Sequence, residues 1–304
     1  MSVSMRKEAL KGMSYCGECR DFLKIKSNIN IGKQVILRIK IGGMSMRNLL
    51  VIVVFILMPA LLMPHFVAAK DWYFKPNQHN QLPTTEPEYE NLLTKYHGVW
   101  IGNTKEKNIY LTFDCGYENG YTDDILDVLK QKKVPATFFV TGHYITDQSS
   151  LVQRMVKEGH IIGNHSWGHP DLSKISDEKY KIELEKLKEA YTELTGRTDM
   201  NYLRPPSGTF SERALKLGEQ EGYTTVFWSF AYRDWLRDQQ KGGNYAYKSI
   251  MKRVHPDAIM LLHSVSKDNA DALGRVIDDL RKQGYHFRSL DYLMAHKNTP
   301  SFVW

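Results

Sequence analysis

The carboxy-terminal part of the chain alternates short apolar runs with longer amphipathic stretches. Ile109-Tyr110-Leu111-Thr112-Phe113 is rich in β-formers and predicts a strand ending at Asp114. Tyr121 to Lys130 follows with Ile125, Val128 and Leu129 on one face, the spacing of a short helix. Ala136 to Val140 predicts a second strand, Ser149 to Glu158 a helix, and His160 to Gly163 a third strand. Leu184, Leu187, Tyr191 and Leu194 recur three or four apart, so a helix is expected from about Ser176 to a stop at Gly196. Further strands are predicted over Tyr202 to Arg204, Thr224 to Trp228, Ile259 to His263 and His286 to Arg288, with helices starting at a Ser211 cap and running from Ala270 to Lys282. Strands apolar on both faces and separated by helices describe a parallel sheet covered by helices. Six or seven such units in about 190 residues fit a closed or nearly closed βα-barrel better than a doubly wound sheet.

Upstream of this repeat the pattern changes. Lys70 to Lys107 is polar and aromatic, punctuated by Pro76, Pro83 and Pro87, and reads as an extended arm over residues 70–107, ahead of a catalytic domain over 108–296. Leu49 to Met63 is an apolar run of fifteen residues, preceded by Arg47 and followed by Val67-Ala68-Ala69, and predicts a signal peptide over 46–69 cleaved before Lys70. The run is shorter than the roughly 20 residues of a bilayer span and contains Pro59, so membrane contact is expected to be transient, with the protein membrane-anchored if the signal is not cleaved. Met44 or Met46 would give this signal the short basic head it needs, which leaves residues 1–45 as an upstream extension without a role in the mature protein. The Cys16-x-x-Cys19 pair falls there and lacks the second pair that a zinc knuckle requires.

Charge confirms the division. The formal charge of +7 equals the surplus of ten Lys/Arg over three acids within residues 1–47, so the remainder is neutral and no nucleic-acid partner is implied.

The chemistry gathers at predicted strand ends, where a barrel assembles its site: Asp114, His165, Arg204 and His263 each close a different strand. His165 and His169 are four apart, and one turn of backbone would bring both imidazoles to one ion. A catalytic metal normally takes a third protein ligand. Cys115, next to Asp114, is open to two readings: a thiolate ligand, or a small buried side chain in proximity to the site with at most weak ligation. His263 is the candidate general acid, Asp234 a carboxylate that could orient it, and Trp235 an indole that could stack on a sugar face. Pro205 and Pro206 hold the turn after Arg204 and favour a fixed guanidinium paired with a carboxylate.

Taken in order, Thr112-Phe113-Asp114, His165-Ser166-Trp167-Gly168-His169-Pro170, Arg204-Pro205-Pro206-Ser207-Gly208, Asp234-Trp235 and Leu261-Leu262-His263 resemble the five motifs of the NodB-homology polysaccharide deacetylases, carbohydrate esterase family four. The resemblance implies a distorted (β/α)7 barrel with a divalent metal, zinc first among candidates, at the carboxyl ends of the strands. It also implies Asp114 as general base held by Arg204, His165 and His169 as metal ligands, and Asp234 tuning His263 as general acid. The Ser207 backbone N–H would bind the oxyanion, while Trp235 and Leu261 would wall the acetyl pocket. Cys115 stands where the family has a second aspartate. The string from Thr112 to Tyr121 resembles the branch that deacetylates peptide-stripped N-acetylmuramic acid in peptidoglycan, whose freed amine closes to muramic δ-lactam. The expectation is therefore an exported, monomeric enzyme acting on glycan strands in the cell wall, extracellular or spore cortex compartment. The alternatives are a deacetylase of another polysaccharide, such as chitin or acetylxylan, and a wall-binding relic without catalysis.

Overall fold

The structure is a computed structural model that describes residues 69–76, 82–102 and 106–296. The upstream extension, the apolar run at 49–63 and the Cys16–Cys19 pair lie outside the described residues. Among the described residues no helix is long and apolar enough to cross a membrane.

The strands, in chain order, are β1 (Lys70–Asp71), β2 (Asn108–Cys115), β3 (Ala136–Val140), β4 (Ile161–Asn164), β5 (Tyr202–Leu203), β6 (Thr209–Phe210), β7 (Thr224–Thr225), β8 (Phe230–Ala231), β9 (Ala258–His263) and β10 (His286–Phe287). All but β1 and β6 belong to one sheet of order β7-β5-β4-β3-β2-β9-β8, with β10 beside the start of β2. Every ladder in it is parallel. Strand β2 sits at its centre and is buried along its whole length, because helices cover the outer face and the barrel interior covers the other. Phe113 and Phe138 stack at 5.2 Å across β2 and β3, both fully buried; side chains of this kind contribute roughly 1.5–3 kcal/mol each.

The expected distorted barrel, closed or nearly closed, takes the form of a curled half-barrel sheet. The predicted strand from Thr224 to Trp228 breaks up because its backbone N–H groups serve different neighbours: Val226 donates to Leu203 O, Phe227 to Val99 O and Ser229 to Ile259 O. The chain thus leaves β5 and crosses to β9, and β7 and β8 form the two ends of the sheet with no ladder between them. Val99 and Ile101 bridge to Val226 and Ala258 near this gap. The amino-terminal segment is more structured than the extended arm expected of it. It carries a helix over Pro87–Lys95, with proline tolerated in the first turn, and β1 pairs antiparallel with β6. Its Trp72 stacks on Phe227 at 4.6 Å and donates its indole N–H to Trp228 O at 2.9 Å.

The long helices begin and end where the sequence dictates. Ser176 accepts from Lys179 N to start Asp177–Thr195, which stops at Gly196 with φ of 71°. Ser211 and Ser266 cap Glu212–Gln220 and Lys267–Lys282 in the same way. A helix that periodicity did not reveal, Gly243–Arg253, packs closely on the last of these: a Cβ at Gly243 would fall 2.7 Å from Asp271 Cβ.

Candidate active site

Alternation along β2 decides what its last two residues do. Successive side chains leave opposite faces of a strand, so Asp114 and Cys115 diverge. Asp114 opens into a cavity of about 650 Å³ at the carboxyl ends of the strands. Cys115 is fully buried in the main core, its Sγ accepting from Ser264 Oγ at 3.3 Å, and burial pushes its thiol well up from 9.0. These surroundings fit the second of the two readings of Cys115, a small buried side chain in proximity to the site.

Asp114 is fixed by Arg204, which follows β5 and is 0% exposed. Arg204 Nη1 donates to Asp114 Oδ1 at 2.8 Å, while Nε and Nη2 donate to the carbonyls of Val226 and Phe227 at 3.2 and 3.4 Å. Its guanidinium also lies 4.2 Å from the Phe139 ring centre. Burial by itself would raise the Asp114 carboxyl, but Arg204, with His165 and His263, outweighs it and holds the group below 3.8. Asp114 is thus a carboxylate at neutral pH.

His165 follows β4. Its Nδ1 meets the backbone carbonyl of Arg204 at 2.8 Å, so Nδ1 carries the hydrogen and Nε2 presents a lone pair, 3.6 Å from Asp114 Oδ2. Burial lowers its pKa to about 4, which keeps it neutral and able to ligate. The His169 ring lies 4.9 Å from that of His165. The loop between them is not helical. Ser166 and His169 both take positive φ, 64° and 55°, and Ser166 Oγ accepts from His169 N at 3.0 Å. Asn164 supports this turn, accepting from Ser166 N at 2.9 Å and donating to Leu184 O and Tyr223 Oη. Among the described residues no three His, Cys, Asp or Glu side chains converge to hold a metal. The two imidazoles have the right chemistry for such an ion, and among the described residues no third protein ligand joins them.

The opposite wall comes from β9 and the loop after β8. His263 Nδ1 donates to Asp234 Oδ1 at 2.7 Å, its backbone N–H donates to Oδ2 at 2.9 Å, and Asn269 Nδ2 donates to the same Oδ2 at 2.6 Å. Burial acts to lower the His263 pKa, but the Asp234 carboxylate more than offsets it, and the net shift is upward from 6.5. Trp235, 43% exposed, faces the His263 ring at 5.5 Å, and Leu261 also lines the cavity. Ser207 lines it from the turn after Arg204, with φ of 56°, held between Pro206 and Gly208. A Cβ at Gly208 would meet Trp228 at 2.7 Å, so that position accepts only glycine without rearrangement.

The cavity thus unites all the predicted site residues except Cys115 and Asp234, which sit behind it, and Arg204, which anchors its floor. Sequence reasoning missed Asn269, Trp228 and Glu118. Glu118 accepts from the backbone of Gly120, Tyr121 and Thr122 and so fixes the loop after Asp114. An acid four residues before a helical threonine was its only sign in the sequence. A larger groove of about 810 Å³ lies at the amino ends of β3 and β4, beside Lys130 and His160, and holds none of these groups.

A family model described as polysaccharide deacetylase matches residues 101–226, and the chain belongs to the polysaccharide deacetylases of carbohydrate esterase family 4. It is 52% identical to the peptidoglycan-N-acetylmuramic acid deacetylase PdaA of Bacillus subtilis over 75% of this chain and 86% of that protein. The solved structure of that enzyme superposes with a TM-score of 0.74, covering 76% of this chain and 98% of that one. A family 4 carbohydrate esterase from Bacillus anthracis is 51% identical with a TM-score of 0.62, covering 74% of this chain and 99% of its own. A peptidoglycan-N-acetylglucosamine deacetylase of Bacillus cereus is 34% identical over 66% of this chain and 94% of its own.

Proposed function

We propose that this protein hydrolyses the N-acetyl group of N-acetylmuramic acid in peptidoglycan, releasing acetate and an amine that closes on the lactyl carboxylate to form muramic δ-lactam. The higher identity to the N-acetylmuramic acid enzyme than to the N-acetylglucosamine enzyme supports the substrate. The single observation that carries the reaction is the placement of an ionised Asp114 and a protonatable His263 in one cavity, each locked by its own buried partner, Arg204 and Asp234.

In this reading His165 and His169 hold the divalent metal that the family implies, with zinc suited to two imidazoles. When bound, such an ion acidifies its water and polarises the acetyl carbonyl. Asp114 takes the proton of the attacking water as its oxygen bonds to the acetyl carbon. The backbone N–H of Ser207 donates to the oxyanion that develops. His263 then gives its proton to the sugar nitrogen as the C–N bond breaks, and Asp234 stabilises the imidazolium beforehand. Trp235 and Leu261 enclose the acetyl methyl and the sugar face. The apolar run at 49–63 supports export of the enzyme to the wall compartment, where it acts as a monomer. The test is to incubate the protein and zinc with peptide-stripped glycan: acetate and lactam should appear, and Asp114→Asn should slow both by about 10²–10⁴-fold. Wild-type protein that releases acetate only from chitin or acetylxylan would overturn the substrate assignment.

A further inference from the structure

One cation at the cavity mouth has no part in this mechanism. Arg237 opens the turn Arg237–Gln239, just after Trp235, and is exposed to solvent. Its guanidinium lies 5.2 Å from the Tyr117 ring centre. Tyr117 lines the cavity, and its hydroxyl donates to Trp235 O at 3.4 Å. Trp235 in turn faces His263. Contacts therefore run along a single wall from His263 to Arg237. Among the described residues no carboxylate pairs with Arg237, and its guanidinium faces the Tyr117 ring.

Several other basic side chains near the cavity are engaged elsewhere. Arg204 is buried against Asp114, and His143 pairs with Asp147 at 3.3 Å. Lys186 lies over Trp167, on the loop that carries His165 and His169. In N-acetylmuramic acid the lactyl ether stands on the ring carbon next to the one bearing the acetamide. Its carboxylate must lie close to the nitrogen, since the two join in a six-membered ring. If His263 protonates that nitrogen, the carboxylate comes to the His263 wall.

We propose that Arg237, backed by Tyr117, binds the free lactyl carboxylate and thereby selects peptide-stripped muramic acid. The planar fork of a guanidinium suits a carboxylate, whereas a peptide-bearing lactyl group is a neutral amide at the same point. This inference rests on the muramic deacetylase reading.

The test compares peptide-stripped glycan with the same glycan after its lactyl carboxylates are converted to primary amides. On the free-carboxylate glycan Arg237→Gln should raise KM about tenfold with kcat little changed, and Arg237→Lys should recover part of the loss. On the amidated glycan both variants should match wild type. Unchanged KM, or equal losses on both glycans, would overturn the inference. A binding measurement on chelator-treated wild-type protein keeps it independent of turnover: the free-carboxylate glycan should bind about tenfold more tightly than the amidated one. Equal binding would overturn the inference even with turnover intact. Absence of acetate and lactam from wild type would instead overturn the functional reading, with the binding contrast still decided on its own.

Discussion

Asp234 receives three donors within 3 Å, from His263 Nδ1, His263 N and Asn269, and is itself buried. Across the cavity, His165 is oriented by one backbone carbonyl, His169 stands on a backbone of positive φ, and among the described residues no third ligand joins them. Among the described residues the Asp234–His263 wall is therefore closed by hydrogen bonds of its own, whereas the His165–His169 wall offers two imidazoles. Groups that change protonation must be held in a fixed relation before the reaction, because a misplaced imidazole loses its hydrogen bond. A metal site can draw its remaining ligands from water and substrate.

The largest test of this contrast is metal removal. Dialysis against a chelator should abolish acetate release and zinc should restore it, while the thermal transition moves little, since the site contributes two ligands and no folding scaffold. Metal retained through prolonged chelation would reveal a ligand that the two-histidine account lacks. Next comes Arg204→Met, which leaves Asp114 buried without its partner. Loss of activity and about 3–5 kcal/mol of stability are expected, read by denaturant unfolding.

Asp234→Asn sharpens the comparison from the other side. The Asp234 carboxylate raises the His263 pKa from 6.5, so in the proposed mechanism the alkaline limb of kcat/KM is expected at higher pH than an unpaired histidine would give. Removing that carboxylate should move the limb to lower pH. The same shift means that the pair stabilises the fold below pH 6.5, an effect lost as pH rises through the folded value of His263. An unmoved limb would show that another group donates the proton. The smallest effect is expected for Cys115→Ala: about 1–2 kcal/mol of stability from the vacated core volume, with metal affinity unaltered. A fall in metal affinity would return Cys115 to the metal wall.

Much of the site was legible because strand ends are easy to find in apolar runs, and Asp114, His165, Arg204 and His263 each stand at one. Ser176, Gly196 and Ser211 likewise mark helix ends by local chemistry alone. The orientation of Cys115 was available in principle, since two-residue alternation continues through β2 to its last residue. Tertiary partners were not legible. Asn269 reaches Asp234 from the first turn of a helix, and nothing in its local sequence separates it from an ordinary polar surface residue. The open sheet was hidden for a similar reason: Val226 and Phe227 look like strand residues, but their hydrogen bonds go to partners distant in sequence, one of them in the amino-terminal segment.

The most direct test of the central claim is mass spectrometry of peptide-stripped peptidoglycan after incubation with the zinc-loaded protein. Muramic residues should lose acetyl and then water, giving the δ-lactam, with N-acetylglucosamine residues untouched. Deacetylated glucosamine beside intact N-acetylmuramic acid would contradict the account.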